Sequence, residues 1–172
     1  MNTDTLIRGG IAVGAIFLAR IVGGWRGTRH KQAALTTPLF DAALLEAALQ
    51  PRPRDGDDPA LLAELKETLT HLNRQAWAAE FWDLHTQIAA LDATLAPKPR
   101  ATLRRAILRL LLMEDRWLQT VAAQTASDLD LTDAVRPLQA RLALGGEDPR
   151  FRAVLEDALA HLEGQTAPPA PK

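Results

Sequence analysis

Apolar residues recur every three or four positions through most of the chain, and proline, glycine or a capping side chain bounds each stretch, so the pattern predicts helices. Thr37 before Pro38 opens the first, running to about Gln50 with Phe40, Leu44 and Leu45 on one side. Residues 51–59 hold three prolines, a glycine and three aspartates, which predicts an exposed connection with a hinge at 51–58. Asp58-Pro59 starts a longer helical stretch with no strong breaker until Pro97. Its apolar seam follows Leu62, Leu65, Leu69, Leu72 and Ala76, then restarts one position later as Trp77, Phe81, Leu84, Ile88, Leu91 and Leu95. One straight neighbour cannot follow both stripes, so the stretch either breaks near residues 73–77 or packs its halves on different partners.

Residues 100–127 form the most apolar helical stretch after the amino-terminal region, with Leu103, Ile107, Leu108, Leu110, Leu111, Leu118 and Val121 predicting a central position. Pro137 begins or kinks a helix that Gly145-Gly146 ends. Asp148-Pro149 opens a last helix, expected to run to Gly164 with Phe151, Val154, Leu155, Ala158 and Leu162 on one side. The proline-capped starts at Pro38 and Pro149 share Pro, Phe, Ala and Leu at equal offsets, a match that Ala/Leu-rich composition explains without a duplication. The predicted fold class is all-α: an amino-terminal membrane helix followed by a bundle of about five helices.

The membrane helix is residues 6–25, close to the roughly 20 apolar residues a span requires. Arg8 and Arg20 lie inside it and shorten its clean core, but both can snorkel, and Trp25 suits the headgroup level. A segment lying on the membrane, a signal peptide and a helix buried in a protein interior are the competing readings. The arginines do not share one face, and Phe17 stands where a signal cleavage site wants a small residue. Arg26, Arg29 and Lys31 follow the apolar stretch as a basic collar, so the positive-inside rule predicts a single-pass protein with its carboxy-terminal domain in the cytoplasm. Gly10 and Gly14 are four apart, a spacing that lets a second helix approach closely in lipid. The expected organisation is a membrane segment with its collar at 1–31, a helical bundle at 32–163 and a loose proline-rich tail at 164–172.

Composition adds limits. The chain has 172 residues, 47 % hydrophobic and 24 % charged, enough for one domain with a core. It has no cysteine, which excludes disulfides and thiolate metal sites. A net charge of -1 argues against a general nucleic-acid binder. Arg105, Arg109 and Arg116 fall within about 40° of one another on an unbroken helix and form a basic stripe. Such a stripe is ordinarily a solvated face paired with acidic neighbours; its sharper use is contact with a protein partner or anionic lipid.

Chemistry is sparse. Glu64, Glu67, His71 and His85 are the richest acid-base grouping, but fourteen residues of helix separate the histidines by about 21 Å, so no metal site is expected. Ser127 is the only serine and has no histidine near it in sequence. No phosphate-binding loop, dinucleotide fingerprint or nucleophile elbow occurs, so neither a catalytic residue nor a cofactor is predicted. Trp77, Phe81, Trp82 and Trp117 could line a ligand pocket between the two long helices, although aromatic residues at helical spacing usually pack as core. The leading expectation is a non-enzymatic accessory or scaffold protein that assembles or regulates a larger complex at a membrane through other protein subunits. The alternative is a helical ligand- or metal-binding protein.

Overall fold

Asp41 begins the first helix by accepting the Ala43 amide on its carboxylate, and α1 spans Ala42–Ala48. The preceding Pro38 does not open a helix. Phe40 sits in a bend instead, where Asn73 accepts its amide at 3.0 Å and donates to its carbonyl at 2.8 Å. Residues 38–75, 83–146 and 148–166 are described in the structure, a computed structural model of the chain. They contain helices and connecting turns and no strand, as the periodicity predicts.

Six further α-helices follow among the described residues: α2 (Pro59–Gln75), α3 (Leu84–Thr94), α4 (Pro97–Leu111), α5 (Arg116–Asp128), α6 (Val135–Leu144) and α7 (Pro149–Thr166). The two halves of the long stretch at 59–95 pack on different partners, α2 on α1 and α4, α3 on α5, as the shift of its seam requires. Leu62, Leu65, Leu69 and Leu72 of α2 are buried, as are Leu84, Ile88 and Leu91 of α3.

The helix expected over 100–127 is two helices. The Asp115 carboxylate accepts the amides of Trp117 and Leu118 and caps α5, while the Leu112 and Met113 amides close a tightened last turn of α4. No proline or glycine marks this break, because an aspartate supplies it. α5 is the central helix, in contact with α3, α4 and α7. Ala122, Ala123 and Ala126 are buried there, and small side chains let three neighbours approach one axis. Thr120 and Thr125 return their hydroxyls to the carbonyls of Arg116 and Val121, which makes their burial tolerable.

α5 stops without glycine. Asp130 takes φ +50°, Leu131 N–H donates to the Ala126 carbonyl, and Asp130 N–H donates to that of Ser127. Pro137 falls within the first turn of α6, where its missing amide costs nothing. The last helix runs past Gly164 to Thr166. The predicted membrane segment at 6–25, including Gly10 and Gly14, the basic collar and the tail beyond 166 lie outside the described residues. Among those described, no helix is long and apolar enough to cross a membrane.

Candidate functional site

The turn between α4 and α5, the first turns of α5 and α7, and the end of α6 enclose a groove of about 700 Å³. Its shape follows from local chain chemistry. Because α4 ends at Leu111 and Asp115 restarts the chain, Leu112 is left pointing outward, 62 % exposed. Gly145 and Gly146, at φ +68° and +85°, end α6 in a conformation that side chains resist, which leaves Leu144 on the rim at 78 % exposure. These are the two exposed large hydrophobic side chains among the described residues, and both line this groove. Leu39, beside the first described residue, forms part of the same wall.

The charged groups of the groove divide into engaged and unengaged. Asp115 caps α5 and also accepts the Asp41 amide at 3.0 Å. Asp148 caps α7 through the Arg150 amide. Gln119, buried in the floor, donates to the Met113 carbonyl and accepts from Arg141. Arg116 lies over two aromatic rings, 5.1 Å from the Phe151 centroid and 5.9 Å from that of Trp117, and the rings meet edge to face at 5.1 Å. No carboxylate among the described residues lies within ion-pair distance of Arg116, and no cation of that set lies within it of Glu114.

The basic stripe expected on one helix is divided by the break at 112–115. Arg105 and Arg109, on α4, turn to the loop before α2, while Arg116, on α5, faces the groove. Arg109 donates to Asp57 Oδ2 at 2.8 Å and to Asp55 at 3.1 Å; Arg105 donates twice to Asp57 Oδ1, at 2.9 and 3.1 Å. Burial alone would raise the Asp57 carboxyl, but hydrogen bonds from Arg109, the Arg52 amide and Arg105 outweigh it and hold the group below the usual aspartate value. The loop at 51–58 is exposed through Gly56 and pinned at its end by this buried aspartate. A second clamp joins α3 to α4, where Arg104 grips buried Asp92 with two bonds of 2.8 and 3.0 Å.

Of the four aromatic residues expected around a pocket, Trp77, Phe81 and Trp82 lie outside the described residues, and Trp117 packs half-buried on Phe151. Glu64, Glu67 and His71 belong to α2 and His85 to α3, and no group of three or more metal-ligating side chains occurs among the described residues. Burial, reinforced by the charges of Asp58 and Glu67, raises the Glu64 carboxyl.

The fold does bring Ser127 close to a histidine. His85 Nδ1 and Asp128 Oδ2 are 2.6 Å apart, and Ser127 lines the same shallow pocket of about 180 Å³. The His85–Asp128 contact ties α3 to α5, and among the described residues the Ser127 hydroxyl makes no hydrogen bond to the ring. Sequence reasoning passed over Leu112, Glu114 and Leu144. Only the Leu144-Gly145-Gly146 order signalled an apolar residue stranded at a helix end. No protein-family model matches the chain, and neither a curated protein nor a solved structure matches it.

Proposed function

We propose that this protein is a non-enzymatic helical scaffold, held at a membrane by residues 6–25 with its bundle in the cytoplasm, that assembles or regulates a larger complex and whose groove is a docking surface for a protein subunit of that complex. The observation that carries the reading is the groove itself: two leucines exposed on its rim beside an arginine that has no carboxylate partner among the described residues. Such a surface gains by covering apolar area and supplying the guanidinium with an acceptor. The other strong polar clusters, at Asp57 and Asp92, direct their bonds inward and tie the bundle together. Arg116 is also the member of the predicted stripe left able to meet anionic lipid or an acidic side chain.

Fractionation of cells followed by native purification tests this reading. The expected result is recovery with the membrane, released by detergent and not by salt, together with co-purifying subunits that a Leu112→Asp, Leu144→Asp variant loses. A protein found entirely in the supernatant, or one whose associations ignore the groove, would sink it.

A further inference from the structure

Glu114 and Arg116 are opposite charges two positions apart on one groove wall, each without an ion-pair partner among the described residues. Leu112 and Leu144 project from two different walls of the same groove. A surface that carries both an unfilled cation and an unfilled anion beside projecting apolar groups contains its own complement. That is the requirement of a two-fold symmetric contact, in which residue i of one copy meets residue j of the other and the reverse pair forms automatically.

We infer that the groove is the self-association surface of this chain, closed by a second copy with Arg116 of each protomer paired to Glu114 of the other and the leucines filling the space between. This rests on the groove being a docking surface and names its occupant. The charges favour a second copy over an acidic or a basic partner, because either of those would satisfy one of the two groups and bury the other unpaired. Stacking on Phe151 and Trp117 holds the Arg116 guanidinium in place, so little side-chain freedom is lost when a carboxylate arrives. Leu39 in the groove wall puts the start of the bundle beside the contact, so two chains leaving it side by side can enter one membrane plane.

Sedimentation equilibrium of the full chain in a non-ionic detergent tests the pairing by charge exchange. A reversible dimer is expected, with a dissociation constant raised about tenfold or more by Arg116→Glu or by Glu114→Arg, and restored to within about threefold of the original in the double variant, which rebuilds the pair with reversed polarity. Leu144→Asp, at a position too exposed to affect folding, is expected to weaken the dimer as well. A monomeric parent chain, a dimer indifferent to the single changes, or a double variant as weak as the singles would each overturn the proposal. Association driven only by Gly10 and Gly14 falls in the second outcome, and Gly10→Leu, Gly14→Leu identifies it. Membrane recovery is a separate measurement, so failure of the anchoring proposal and failure of self-pairing are told apart.

Discussion

Arg109 of α4 and Asp57 of the loop before α2 meet at 2.8 Å across 52 positions of sequence, with side-chain exposures of 8 % and 1 %. Two opposite charges withdrawn from water are tolerable together and costly apart. Asp57→Ala is therefore expected to destabilise the protein by about 3–5 kcal/mol, since it leaves a buried guanidinium short of its main acceptor. Arg105→Ala, which removes a partner one-third exposed, should cost much less. Urea unfolding followed by circular dichroism measures both; equal losses would contradict the ranking.

The same aspartate predicts an acid limb. Its folded pKa lies below its unfolded one, so the unfolded chain binds the extra proton as pH falls. The stability it contributes is complete above the unfolded value, about 3.9, and is lost as pH drops through the lower folded value. Melting temperatures recorded from pH 7 downward should fall more gently for Asp57→Asn than for the parent, from a lower start. Parallel curves would show that other carboxylates set the acid limit.

Asp115 makes three hydrogen bonds that begin α5 and hold the residue before α1. Asp115→Ala should cost about 1–2 kcal/mol and speed amide exchange in the first turn of α5, whereas Asp115→Asn should recover most of the loss. Exchange monitored by mass spectrometry on peptides spanning residues 112–122 provides the check.

Core and rim leucines should part company. Leu103 is fully buried, so Leu103→Ala is expected to cost about 2–5 kcal/mol. Leu144→Ser should leave folding stability within about 0.5 kcal/mol when the monomer is measured, because that side chain is mostly in water already. A large loss at Leu144 would mean that the rim supports the bundle.

The sequence by itself determined the helical class, the loop at 51–58, the starts at Asp58-Pro59 and Asp148-Pro149, and the buried leucines of α2 and α3, because periodicity and caps act over one or two turns. It also showed that the apolar seam of residues 59–95 shifts near 73–77, leaving a break or two different partners as the alternatives, between which local pattern does not choose. Tertiary structure alone decided the rest. Periodicity ran straight through 112–115, since Leu110, Leu111 and Leu118 keep a helical beat that an aspartate cap interrupts without any breaker residue. Pro38 looked like a helix start until Asn73, 33 positions away, claimed the backbone of Phe40. Arg105, Arg109 and Arg116 shared a stripe only on an unbroken helix; the fold turned two toward Asp57 and left the third over Phe151. Spacing along one helix reports which side chains share its face, while the partner that neutralises a charge or covers a leucine is set by distant segments that local pattern does not encode.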